Sequence, residues 1–340
     1  LDKAMEDLNI SGGTAIVMDP ENGSILAMAN TPDYNLNKFA DYPQKNWRNR
    51  AISDNYEPGS TFKIITTAAA LEEGVVNEED SFFCSGNIKV SGETISCWKH
   101  GGHGQQSFSD VVKNSCNPGF VQVGMKLGKE NFYNYIKSFG FGEKTNINLP
   151  GESKGLVYDY NQIGPVELAT MSYGHGISVT PLQLVTAVSA IANDGMLLEP
   201  KLVDKITDEN NNIVEEVQKT QVRQVITEKT AQRTRDLLER VVKEGTGAAA
   251  GIDGFQIGGK TGTAKHYNEN IYDSSFIGMV PTDDPEFVIL VVLYDVSGPK
   301  YYGSQTAAPI FRNILLDLLR YKDKSPKIEE ENFAEDHKKV

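Results

Sequence analysis

The chain has 340 residues, 39% hydrophobic and 23% charged, an ordinary globular mix that is no disordered polymer and is long enough for two domains or one large one with subdomains. With 33 Lys and Arg against 46 Asp and Glu, its net charge is −13, which argues against nucleic acid as a partner and against a surface held by anionic lipid. No run approaches the ~18 uninterrupted apolar residues of a membrane span.

Leu1, Met5 and Leu8 read as the end of a helix, so the chain is expected to be a piece of a longer protein. Residues 13–30 read as a hairpin: Thr14–Met18 is strand-like, Asp19-Pro20-Glu21-Asn22-Gly23 is a turn, and Ser24–Ala29 returns. An irregular, proline-bearing stretch leads to a predicted helix that begins at Ser60 after Pro58-Gly59, has an alanine-rich body, and stops at Gly74. Residues 81–108 read as a long irregular excursion carrying Cys84 and Cys97. Short helical patterns follow over 109–139 and 166–194, then two strand-like runs over 199–226 and an amphipathic helix over 227–244 capped by Thr227. Gly-flanked residues 255–263, then 274–281 and the apolar run 286–296 read as strands, and 306–321 as a closing helix. Terminal strands bracketing a helical middle predict an α/β (α+β) fold: a central, mostly antiparallel sheet flanked by helices, with an inserted all-helical subdomain. Residues 1–321 are expected to form one domain and 322–340 a charged, solvated tail.

Three short motifs carry chemistry. In Ser60-x-x-Lys63, residues three apart share a helix face, so the ammonium can reach the hydroxyl. A serine is a poor nucleophile at its free pKa, and a lysine made neutral by burial or by a nearby cation can take its proton. Ser115-Cys116-Asn117 lies in a turn between helical segments, and Lys260-Thr261-Gly262-Thr263 lies on a predicted strand. Ser-x-x-Lys, a Ser-x-Asn turn and Lys-Thr-Gly, in that order, form the combined signature of penicillin-binding proteins and class A β-lactamases.

The stretch Glu57-Pro58-Gly59-Ser60-Thr61-Phe62-Lys63 resembles the nucleophile segment of class B penicillin-binding proteins, the peptidoglycan D,D-transpeptidases. Gly258–Ala264, Gly174–Gln183, Ser275–Pro281 and Ala307–Phe311 resemble further segments of that family, over about residues 10–320 and closest to its division and sporulation type. The resemblance implies the penicillin-binding transpeptidase fold and assigns roles. Ser60 attacks the D-Ala–D-Ala carbonyl and becomes acylated, with Lys63 as base. Ser115 relays the proton to the leaving amine, and Lys260 tunes the field. The Ser60 and Thr263 N–H groups form the oxyanion hole. Thr261 and Thr263 bind the substrate carboxylate, Gly262 lets substrate approach the strand closely, and Asn117 hydrogen-bonds the substrate amide. It further implies a peptidoglycan stem peptide on a lipid-linked precursor as substrate, acylation by β-lactam antibiotics, a glycosyltransferase partner, and a position on the outer face of the cytoplasmic membrane, held by an anchor preceding Leu1.

Cys84, Cys97, His103 and Cys116 form the chain's most distinctive pattern. Soft thiolates with one imidazole match a closed, structural zinc site that would tie the loop 84–103 to the turn carrying Ser115 and Asn117. His100 competes with His103 as ligand, and a Cys84–Cys97 disulfide with a buried Cys116 is the alternative. His175 reads as structural, His266 as exposed, and Trp98 as a packing anchor.

Within the same fold the other readings are a D,D-carboxypeptidase and a β-lactamase, though Glu167-Leu168-Ala169-Thr170-Met171 offers no asparagine beside a deacylating glutamate. From a different class, the chain could be a β-lactam sensor that is acylated without turnover.

Overall fold

The computed structural model describes residues 1–266 and 270–323. Its frame is a five-stranded sheet built from β1 (Gly12–Met18), β2 (Ile25–Thr31), β3 (Gly258–Lys265), β4 (Tyr272–Val280) and β5 (Phe287–Val296), in the order β3-β4-β5-β1-β2. Every pairing is antiparallel, so the first hairpin and the last three strands close one sheet from opposite ends of the chain. β5 is the apolar run of the sequence, and successive side chains of a strand point to opposite faces. Val288, Leu290 and Val292 therefore enter one core, and Ile289, Val291 and Leu293 enter the other. Each such side chain contributes roughly 1.5–3 kcal/mol by leaving water.

Five helices complete the frame: α1 (Lys63–Glu72), α2 (Asn117–Leu127), α3 (Pro181–Ala192), α4 (Glu228–Glu244) and α5 (Ala307–Tyr321). Phe311, Leu315 and Leu319 of α5 cover one face of the sheet. α3, capped by Thr180 and buried at every residue, covers the other. α1 is buried from Lys63 to Leu71 and lies among α2, α3 and α4, which explains a helix of Ala and Thr with no charged face. The nucleophile motif is thus fixed in the interior, against the sheet edge that carries β3.

The region between β2 and β3 holds most of the helices and also four two-stranded sheets. Two of these lie where the sequence reads as irregular. Ser81–Cys84 pairs with Gly104–Ser107, and Asn87–Val90 pairs with Glu93–Ser96. Strands of four residues with polar outer faces carry too little alternation to stand out from a loop. Of the expected tail 322–340, only Lys322 and Asp323 lie within the described residues.

Candidate active site

Ser60 sits in the tight turn Gly59–Phe62 that runs directly into α1. The segment leading to it is strapped down on one side. Tyr56 and Val179 exchange backbone hydrogen bonds of 3.0 and 2.9 Å, and Gly59 N–H donates to Gly174 O at 3.1 Å. Glu57 Oε1 accepts from Gly176 N–H at 2.9 Å, and its Oε2 pairs with His175 Nδ1 at 2.9 Å. Burial opposes charge on the Glu57 carboxylate, but these bonds prevail and hold its pKa below the usual value. The glycines are obligatory for this fit. Gly174 has φ +88°, and a methyl there would stand 2.8 Å from Phe62 Cβ and closer still to Gly59 O.

Lys63, the first residue of α1, is 1% exposed. Its ammonium donates to Ser115 O at 2.9 Å, Ser115 Oγ at 3.1 Å and Asn117 Oδ1 at 2.6 Å. Its hydrogen bonds thus run to the Ser115–Asn117 turn, the second motif, and not to Ser60 Oγ. Burial pulls its pKa down to about 7, while the nearby Cys116 and Cys97 push it the other way. The turn follows the helix Phe108–Lys113, whose start is fixed by a reciprocal cap between Ser107 and Asp110. Ser115 adopts φ +52°, a left-handed conformation that a non-glycine residue avoids unless the surroundings hold it. Here Ser115 N–H and Cys116 N–H bond to Val112 O and Val111 O. Asn117 donates its Nδ2 to Ser96 O at 3.2 Å while its Oδ1 receives Lys63. Both ends of that amide are therefore engaged within the protein, and a substrate amide that pairs with Asn117 must displace one of these bonds.

The third motif lies on β3, an edge strand whose outer side presents unpaired backbone groups. Lys260 is fully buried, and its Nζ has no hydrogen-bond partner among the described residues. Burial first, and the charge of Lys63 second, push its pKa well below the ordinary lysine value. A lysine so placed is an unfilled demand for an anion or a hydroxyl. Gly262 packs closely on its side-chain face, against Ser275 Oγ of β4 and against the nucleophile turn. A Cβ there would lie 2.9 Å from Pro58 O and 3.0 Å from Thr61 Cγ2. Thr261 and Thr263 point to the face opposite Lys260 and Gly262 by strand alternation. The Thr263 hydroxyl donates to Gly262 O at 2.8 Å and accepts from Gly303 N–H at 3.1 Å, while Thr261 is buried.

Cys84, Cys97, His103 and Cys116 converge, with one ligand atom from each within 4.8 Å of all the others. The thiols are unpaired, so the alternative disulfide is not formed here, and His100 lies outside the cluster. Cys97 Sγ and His103 Nδ1 are 3.4 Å apart. A hydrogen bond from Cys116 brings the Cys97 thiol down to about 5; hydrogen bonding with Cys97, and then burial, push Cys116 up. Three thiols and one imidazole, two of the thiols fully buried, form a donor set that fits zinc.

Sequence reasoning passed over Glu57 and gave His175 only a structural part; their pair is what fastens the nucleophile segment. His266 is half-buried beside Asp273, its Nε2 3.1 Å from Oδ2. Trp98 is not a packing anchor: it is 53% exposed and donates its indole N–H to Asn114 O at 2.9 Å.

Residues 13–316 match the penicillin binding protein transpeptidase domain family. Stage V sporulation protein D of Bacillus subtilis is 46% identical over 330 residues, which cover 94% of this chain and 51% of that protein. Penicillin-binding protein PbpB of Mycolicibacterium smegmatis is 33% identical over 90% of this chain and 50% of its own length. The chain spans about half the length of the curated relatives it matches. Penicillin binding protein 3 from Mycobacterium tuberculosis, complexed with aztreonam, superposes with a TM-score of 0.86 at 30% identity, over 96% of this chain and 77% of that one. The D,D-transpeptidase domain of a peptidoglycan glycosyltransferase from Eggerthella lenta does so with 0.85 at 33% identity, over 94% and 80%. With its nucleophile turn, its serine–asparagine turn and its lysine-bearing edge strand gathered around one buried ammonium, this chain belongs to the penicillin-binding protein transpeptidase family.

Proposed function

We propose that the protein is a serine-type peptidoglycan D,D-transpeptidase that cross-links stem peptides through an acyl-enzyme. The observation that carries this reading is the Lys63 ammonium, buried at the head of α1, bonded to Ser115 and Asn117, and facing the unpartnered Lys260. Similarity to named D,D-transpeptidases supports it.

In the first half-reaction Ser60 Oγ attacks the carbonyl of the penultimate D-Ala, and neutral Lys63 takes its proton. The N–H groups of Ser60 and Thr263 stabilise the oxyanion. Ser115 Oγ, 3.1 Å from Lys63 Nζ, passes a proton to the departing nitrogen as the C–N bond breaks, and terminal D-Ala leaves. The amine of a neighbouring stem peptide then attacks the ester, its proton returns to Ser60 Oγ through the same groups, and the cross-link is released. Thr261 and Thr263 receive the terminal carboxylate of the donor peptide, and Lys260, on the opposite face of the strand, tunes the field around Ser115. A β-lactam presents the same carbonyl and carboxylate but keeps its leaving nitrogen attached, so Ser60 remains acylated.

Cys84, Cys97, His103 and Cys116 would hold zinc, which would supply a structural cross-link. With Cys116 as a ligand, its neighbours Ser115 and Asn117 would be held on either side. In the cell the protein works on a lipid-linked precursor at the outer face of the cytoplasmic membrane, beside a glycosyltransferase that supplies the glycan strand.

The test is cross-link formation with lipid-linked precursor and a glycosyltransferase. Dimeric stem peptides with one D-Ala released per link support the proposal. Release of D-Ala without dimers indicates a carboxypeptidase, and rapid loss of a bound penicillin indicates a β-lactamase.

A further inference from the structure

His266 is the first residue past β3, and no proposed catalytic step uses it. Its backbone N–H donates to Ile271 O at 2.9 Å, which ties the end of β3 to the start of β4. Ala264 stands directly opposite Asp273 in the ladder, so their side chains share a face, and His266 follows two residues on along the same face. The imidazole is flanked by two carboxylates. Its Nε2 lies 3.1 Å from Asp273 Oδ2, and its Nδ1 lies 3.6 Å from Asp295 Oδ1.

Asp295 reaches this place through a bulge. Between Tyr272 and Ser274 the partners on β5 step from Val296 to Leu293, one residue more than a regular ladder takes. Asp295 lies in that extra length with φ +57°. Its N–H donates to Asp273 Oδ1 at 3.1 Å, and its Oδ2 accepts from the Ser11 hydroxyl. Such a bulge re-aims a side chain, here toward β3. An imidazole with a carboxylate at each nitrogen donates to both only as the imidazolium. That cation ties the end of β3, an edge strand, to β4 and β5 at once.

The same end of β3 supports the nucleophile turn. A Cβ on Gly59, next to Ser60, would lie 3.3 Å from Thr263 O and 3.6 Å from Ala264 Cβ. A shift of β3 at this point therefore moves the Thr263 backbone against Ser60. We propose that His266, clasped between Asp273 and Asp295, is a positioning residue that holds the Thr263 N–H in place for the oxyanion. This rests on the acyl-enzyme reading above. His266 acts through the strand that it follows.

The experiment follows acylation of the full chain by penicillin in stopped flow, at one pH and over a range of drug concentrations. This separates the acylation rate constant from the dissociation constant of the first, non-covalent complex. An oxyanion donor acts mainly in the transition state. In His266→Gln the rate constant is therefore expected to fall by about 10–100-fold, with the dissociation constant nearly unchanged. His266→Arg keeps a cation with donors toward both carboxylates and is expected to restore most of the rate. Asp295→Asn removes one carboxylate from a side chain that is 44% exposed, so it keeps the test open if His266→Gln does not fold. Its rate constant is expected to fall as well. Wild-type rate constants in folded His266→Gln and Asp295→Asn, a loss of affinity in place of rate, or no recovery in His266→Arg would overturn the clasp alone. Wild-type protein that penicillin does not acylate on Ser60 would remove the acyl-enzyme reading and this inference with it.

Discussion

Lys63 Nζ lies 2.9 Å from the backbone carbonyl of Ser115, and that carbonyl is presented because Ser115 adopts φ +52°. One strained residue therefore serves two ends. Its carbonyl and its hydroxyl both face the same ammonium, and its neighbour Asn117 supplies a third acceptor. The arrangement joins a helix start to a turn 52 residues further along the chain. It also keeps a buried lysine hydrogen-bonded while burial lowers its proton affinity.

Lys63→Ala removes the base and leaves three acceptors to water. Acylation by penicillin is expected to slow by about 10³-fold, with an unchanged circular dichroism spectrum. Stopped-flow acylation measures the first and far-ultraviolet dichroism the second. A native acylation rate in the folded variant would remove Lys63 from its role.

The pH dependence follows from the depressed pKa of Lys63. The base must be neutral to accept a proton, and the neutral fraction grows as pH rises through about 7. The second-order acylation constant should therefore climb between pH 6 and 8, by roughly tenfold per unit below the pKa, and level off above it. A flat profile over that range, or one that falls as pH rises, contradicts the assignment.

Gly174→Ala tests the strap. The new methyl meets Gly59 O and Phe62 Cβ, and the positive φ adds strain. Destabilisation of about 1–3 kcal/mol is expected, together with slower acylation, because the displaced segment carries Ser60. Thermal unfolding checks the first part and penicillin labelling the second.

Metal removal is expected to act through the turn. Chelation should lower the melting temperature and slow acylation, and zinc should restore both. Protein that contains less than about half an equivalent of metal and is indifferent to chelator would count against the zinc site.

Much of this was legible before any coordinates. The turn Asp19–Gly23 between two strand-like runs marks a hairpin, and the apolar run 286–296 marks a strand; both are found at those places. The three motifs meet because each carries its own local signal: a Pro-Gly helix start, a turn between helices, a glycine-flanked strand. What was not legible depends on distant pairs. Glu57 and His175 are 118 residues apart in sequence, and neither carries a local pattern that names the other. The close packing of Gly262 against Pro58 and Thr61 was hidden in the same way: a strand glycine announces a close approach but not what approaches. The short strands around Cys84 and Cys97 escaped because four residues with polar outer faces carry too little alternation to stand out from a loop.

Mass spectrometry of the intact protein after brief exposure to penicillin, with peptide mapping of the adduct, tests the central claim most directly. The account predicts a single adduct of the drug's full mass on Ser60, lost in Ser60→Ala and greatly slowed in Lys63→Ala. An adduct on another residue, or none at all on protein that is folded and carries its metal, would contradict it.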